Sequence, residues 1–175
     1  MSRRFTLMGV IALGVLYIGI LGNAWASQPK AVTTAEPAPA ANFTPYFVVI
    51  KPGEANLRRG PSVRYPVKTV YHLKGYPLEV IGEFDHWLKV RDRDNESGWL
   101  HENLLSRRRA AMTLKPMYLF YRPQGDAPVT ARLEPHVVTN IVSCHDDWCH
   151  VKGDGYDGWI VRQYLWGVYA HENFQ

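Results

Sequence analysis

Phe84-Asp85-His86-Trp87-Leu88-Lys89-Val90, followed by Gly98-Trp99-Leu100, is the stretch on which the fold turns. The phrase returns as His145-Asp146-Asp147-Trp148-Cys149-His150-Val151, followed by Gly158-Trp159-Ile160. Each copy reads Trp-x2-Val, a gap, then Gly-Trp and an aliphatic residue; the gap is seven residues in the first copy and six in the second. Tryptophans placed alike in both halves mark an internal repeat, and a repeat decides architecture before any single element does.

Around these phrases, from Tyr46 onward, short apolar runs are broken by turn residues and no helical period emerges. The pattern predicts strands over 47–50, 67–73, 78–83, 87–91 and 98–101, with a short 3₁₀ turn at Asn103-Leu104-Leu105. Ala55 to Arg58 leads into the Gly60-Pro61-Ser62 turn. The second unit repeats the order over 117–121, 129–133, 137–144, 148–152 and 158–161, with turns at 122–125 and 153–155. Five or six short strands in about 60 residues predict a small barrel, whose closure removes exposed edges.

The N-terminus reads differently. Ser2-Arg3-Arg4 precedes an unbroken apolar run from Phe5 to Gly22, and Ala24-Trp25-Ala26 supplies small residues for cleavage before Ser27. This predicts an exported protein on the general secretory route, periplasmic or secreted. The run is also long enough to remain as an uncleaved anchor, the one membrane contact expected. Gln28 to Asn42 is rich in Pro and Ala and poor in large apolar side chains, so a disordered spacer is expected there. The whole chain carries +4, but without Arg3 and Arg4 the balance is 18 basic against 16 acidic residues. That is too even for a nucleic-acid binder, which needs a concentrated basic face.

Asn56-Leu57-Arg58-Arg59-Gly60-Pro61-Ser62, Leu73-Lys74-Gly75, Trp87 to Val90 and Gly98-Trp99-Leu100 together resemble the bacterial SH3-like domains. The second copy keeps Trp148 to Val151 and Gly158-Trp159-Ile160, but Phe120-Tyr121-Arg122-Pro123 stands where the Asn-x-Arg-x-Gly-Pro turn belongs. The resemblance implies partly open, five-stranded barrels that bind rather than catalyse, often on cell-wall or envelope targets. The expected architecture is all-β. Two tandem SH3-like barrels at 44–107 and 108–168 follow a signal peptide (1–26) and a linker (27–43), with a tail at 169–175. Gly60, Pro61, Gly98, Trp99, Gly158 and Trp159 are the structural signature of the repeat.

Cys144 and Cys149, the two cysteines of the chain, flank a hairpin turn. In an oxidising compartment facing strands favour a disulfide. Together with His145 and His150 they could instead supply metal donors, although zinc pairs normally lie closer and need a second, distant pair. A reactive free thiol is the third reading. Alternation puts Leu88 and Val90 in the core and leaves Trp87 at the rim. Trp87 and Trp148 are candidates to line a shallow ligand groove with Tyr65 or Tyr121. Arg58 and Arg59 could add charge to it, while Trp99 and Trp159 read as seals of the core. Arg107-Arg108-Arg109 reads as a solvated linker that could touch an anionic lipid or wall polymer.

No Gly-x-Ser-x-Gly, His-Glu-x-x-His or phosphate-binding glycine loop occurs, and the histidines are scattered. The expected function is a non-catalytic envelope module without cofactor that recognises peptidoglycan or an envelope peptide. The alternative is a structural adaptor that binds a periplasmic protein.

Overall fold

The computed structural model describes residues 42–174; the leader and most of the spacer lie outside them. The first sheet is built from β1 (Tyr46–Ile50), β2 (Ala55–Arg58), β3 (Val67–Tyr71), β4 (Pro77–Phe84), β5 (Trp87–Arg91), β6 (Ser97–His101) and β7 (Leu105–Ser106). The second contains β8 (Ala110–Thr113), β9 (Met117–Phe120), β10 (Val129–Leu133), β11 (Val138–His145), β12 (Trp148–Gly153), β13 (Tyr156–Val161) and β14 (Leu165–Trp166). Strand order is β3-β2-β6-β5-β4-β1-β7 in one sheet and β10-β9-β13-β12-β11-β8-β14 in the other. The second order is the first with every number raised by seven, so the repeat in sequence is a repeat of topology.

Each sheet has seven strands, more than the five or six legible in the sequence. The strands with no forecast are β7 and β14, two residues each beside the 3₁₀ turns, and β8, Ala-Ala-Met-Thr, whose four residues are all buried. Alanine is a poor strand former, and a strand buried on both faces shows no alternation. Its place is fixed by pairing with β11 on one side and β14 on the other.

Two separate cores result. Val48, Ile50, Leu57, Leu78, Val80, Val90 and Leu100 centre the first; Leu119, Ile141, Val151 and Ile160, with both cysteines, centre the second. Each fully buried aliphatic side chain contributes roughly 1.5–3 kcal/mol, a large share of what so small a barrel can muster.

The Gly-Trp phrase has a steric reason. A Cβ on Gly98 would lie 2.6 Å from Leu57 Cγ and 2.8 Å from the Arg58 carbonyl oxygen; one on Gly158 would lie 2.7 Å from Thr130 Oγ1 and 3.0 Å from the Phe120 oxygen. The crossing strand, β2 or β9, fills the space a side chain would need. The tryptophans beside these glycines stand on the face opposite Leu100 and Ile160, outside both core clusters, so they cover the outer face of the sheet. Trp99 is 2% exposed, and Trp159 stacks on His150 at 5.0 Å.

The barrels meet through β4, β1, β14 and the segment after it. Trp166 Nε1 donates to the Pro77 oxygen at 2.9 Å, and Phe47 meets the Trp166 ring edge-on at 5.2 Å. The Tyr169 hydroxyl donates to Glu79 Oε1 at 2.9 Å, and burial with that carboxylate pushes the phenol well above its usual range. Further along, the chain packs on the second barrel: Phe174 bridges Cys144 through two backbone bonds, and Glu172 holds Arg109 at 2.7 Å.

Candidate functional site

The two barrels can be compared position by position, because strand register aligns them. Arg58 faces Trp99 across β2 and β6, and Phe120 faces Trp159 across β9 and β13. Trp87 faces His101, and Trp148 faces Val161. Phe120 therefore holds the place of Arg58, and Val161 that of His101.

In the first barrel these positions border a groove of about 300 Å³ lined by Trp87, Arg58, His101, Asn56, Asn103 and Glu54, with Val63 and Leu104 at its apolar edges. Trp87 is part-buried with its ring edge-on to His101 at 5.3 Å. Its neighbours in β5, Leu88 and Val90, point into the core as alternation predicted. Arg58 reaches the groove, but its Nη1 donates to the Val63 oxygen at 3.1 Å and the Tyr65 oxygen at 2.9 Å. Through Nη1 the guanidinium thus clamps the loop after β2, and the other polar groups on the groove are two amides, an imidazole and a carboxylate. Below the groove His86 Nδ1 lies 2.7 Å from Glu102 Oε1. That bond, then nearby Asp85, raises the His86 pKa above its usual 6.5.

The other sequence candidates are distributed as follows. Tyr65 does not line the groove; its ring covers Gly60, where a Cβ would come within 2.6 Å of it. Arg59 and Tyr121 are equivalent positions, both exposed, each binding across its loop through its backbone N–H, to Pro66 at 3.1 Å and to Pro128 at 2.9 Å. Trp148 meets Phe120 edge-on at 5.6 Å, so an apolar ring from β9 lies against the tryptophan where the first barrel leaves a groove.

The turn whose sequence the second copy lacks is nevertheless present in its backbone. Ser62 N bonds Gly60 O and Tyr65 N bonds Ser62 O in the first; Gln124 N bonds Arg122 O and Ala127 N bonds Gln124 O in the second. Arg122 can replace Gly60 because Ala127 replaces Tyr65, and the ring that excluded a Cβ is gone. This compensation is a pair of changes five residues apart, the sequence signal that the forecast turn at 122–125 is equivalent to the one at Gly60-Pro61-Ser62.

Cys144 and Cys149 are disulfide-bonded, with Cα atoms 4.1 Å apart on β11 and β12. The bond removes both sulfurs from any metal site or thiol chemistry. Their counterparts across β4 and β5 are Glu83 and Leu88. Among the described residues no cluster of three or more His, Cys, Asp or Glu side chains is placed to hold a metal ion.

The Arg107-Arg108-Arg109 run divides three ways. Arg107 lies over the Tyr46 ring at 4.0 Å and Arg109 pairs with Glu172. Arg108 lines a separate cleft with Lys51 and Lys74.

Comparison with known proteins agrees with the duplicated topology. The model of the bacterial SH3 domain matches residues 51–107 and again 114–167, together more than half the chain, and no catalytic domain is matched. Two solved structures, NlpC2 and NlpC1 from Trichomonas vaginalis, are similar over 75% and 79% of this chain, at 14% and 13% identity and TM-scores of 0.35 and 0.34. The chain spans about half the length of each, 51% in both cases. No curated protein matches it. Two matches in tandem, on two sheets of one topology, place the chain in the bacterial SH3 domain family.

Proposed function

We propose that this protein is a non-catalytic binding module of the cell envelope that recognises peptidoglycan or an envelope peptide through the Trp87 groove of its first barrel. The observation that carries this reading is the pairing of a part-exposed tryptophan with Asn56, Asn103, His101 and Glu54 around one concavity. An aromatic face suits a sugar ring or an apolar side chain, and amides suit peptide or N-acyl groups. Because Arg58 and Glu54 set opposite charges on the same groove, the ligand is taken as uncharged or of mixed charge rather than as an anion. The disulfide and the family support a location outside the cytoplasm. The division into leader, spacer, two barrels and tail given above belongs to the same proposal.

Sedimentation with purified peptidoglycan tests it. The protein is expected in the pellet, and Trp87→Ala is expected to release it, whereas Trp148→Ala is not. Failure of the unaltered protein to sediment would overturn the reading. A second reading, a structural adaptor for a periplasmic protein, draws on the groove of about 470 Å³ where the barrels meet, lined by Pro45, Tyr46, Phe47 and Tyr169. Retention of a protein partner that survives Trp87→Ala but not Tyr169→Ala would favour it.

A further inference from the structure

Lys51, Lys74 and Arg108 come from three separate segments, after β1, before β4 and after β7, and line one cleft of about 320 Å³. Among the described residues none of the three is ion-paired with a carboxylate, whereas Lys68, Arg91 and Arg93 of the same barrel are. Ser106 borders the cleft; its Oγ accepts the Arg108 backbone N–H at 3.2 Å, which leaves the hydroxyl proton to donate. Val49 and Ile50, 2% and 1% exposed, form an apolar floor.

The fold does not require these charges. Register and the turn hydrogen bonds place Leu114, Pro135 and Trp166 of the second barrel where the first has Lys51, Lys74 and Ser106. The same corner of the same topology is therefore apolar in one copy, while in the other it carries two lysines, to which Arg108 adds a third cation. Like charges gathered in a concavity repel one another and destabilise the compact state. A corner that folds without them, yet carries three, points to an anionic ligand.

We propose that this cleft binds a phosphoryl group. A single carboxylate would neutralise one of three cations, whereas a phosphoryl dianion offers three acceptor oxygens to two ammonium groups, one guanidinium fork and a hydroxyl. The low-dielectric floor strengthens those contacts. The site is independent of the Trp87 groove.

The test is titration with inorganic pyrophosphate at low ionic strength, followed by amide shifts in the ¹H–¹⁵N spectrum. Saturable shifts confined to the neighbourhood of Lys51, Lys74, Gly75 and Arg108 are expected, weakened at least tenfold in K74E/R108E. The control R64E/R122E makes the same change in net charge outside the cleft and is expected to stay within twofold of the unaltered protein. Diffuse shifts, or equal weakening in the control, would overturn the proposal, since net charge alone would then explain binding. Should K74E/R108E misfold, K74Q/R108Q replaces it. Without anion the glutamine variant is expected to melt above the unaltered protein, and with pyrophosphate below it; an equal rise in both would also overturn the site. Vesicles of phosphatidylglycerol and phosphatidylcholine identify the source. Sedimentation of the unaltered protein but not of K74E/R108E, which carries the same N-terminus, points to a lipid headgroup. Pyrophosphate binding without vesicle binding points to a soluble or polymeric phosphate, and binding to neither refutes the site.

Discussion

The first barrel and the second share strand order, register and loop hydrogen bonds, yet differ at almost every position that could meet a ligand. Arg58 becomes Phe120, His101 becomes Val161, and the lysines of the cationic corner become Leu114 and Pro135. The second barrel has turned its surface inward, placing Phe120 against Trp148 and receiving the chain end across Cys144. The first keeps polar residues around two concavities. Duplication thus separates what the scaffold needs, which both copies keep, from what the proposed binding needs, which one copy keeps.

The sharpest way to break this comparison is at the shared glycines. Gly98→Ala is expected to cost about 3 kcal/mol in urea denaturation, because its Cβ would strike a core leucine and a backbone oxygen. Gly158→Ala should cost about 1–2 kcal/mol, since its nearest neighbour is the Thr130 hydroxyl, which can rotate. Equal costs would mean that the crossing strands are not seated differently.

Removing the disulfide by Cys144→Ala with Cys149→Ala should lower stability by about 2 kcal/mol, the chain-entropy value for a loop this short. Reductant should have no effect on that double variant but should destabilise the unaltered protein, read by urea midpoints in both cases.

A smaller effect is expected at the turn before the fourth strand of each barrel. Gly75 and His136 occupy it with φ of 81° and 67°, and each donates its N–H to the end of its barrel's first strand, at the Ile50 and Thr113 oxygens, at 2.8 Å. A side chain in the left-handed region is strained, so His136→Gly should stabilise the second barrel by about 1 kcal/mol. A loss of stability instead would show that the imidazole has a packing role.

The smallest effect concerns pH. His86 has its pKa raised by Glu102 and Asp85; the corresponding positions 147 and 162 of the second barrel hold Asp and Arg. A raised folded-state value means that the pair's contribution is complete below pH 6.5 and is lost as pH rises through the raised value. An NMR titration of His86 should give a midpoint above 6.5 that falls towards it in Glu102→Gln; an unmoved midpoint would remove Glu102 as the cause.

The repeat, the all-β class, most strands and the facing of Leu88 and Val90 were legible because Trp-x2-Val and Gly-Trp recur and strand alternation is strict. Strand β8 was not, since Ala-Ala-Met-Thr carries neither alternation nor propensity. The turn at 122–125 was legible, but its equivalence to the Gly60-Pro61-Ser62 turn was hidden because Arg122 and Ala127 satisfy jointly what Gly60 and Tyr65 satisfy in the first copy. Both failures involve residues whose fitness depends on a neighbour absent from the local window.

The sequence by itself determined that one sheet design is used twice and where its glycines and tryptophans stand, because backbone sterics and period-two burial act over a few residues. Only the tertiary structure decided that Arg58 serves its own loop, that Phe120 lies on Trp148, and that Lys51, Lys74 and Arg108 share one cleft. Those are meetings between segments up to about 60 residues apart, and pattern along a chain carries no information about which distant surfaces will close on one another.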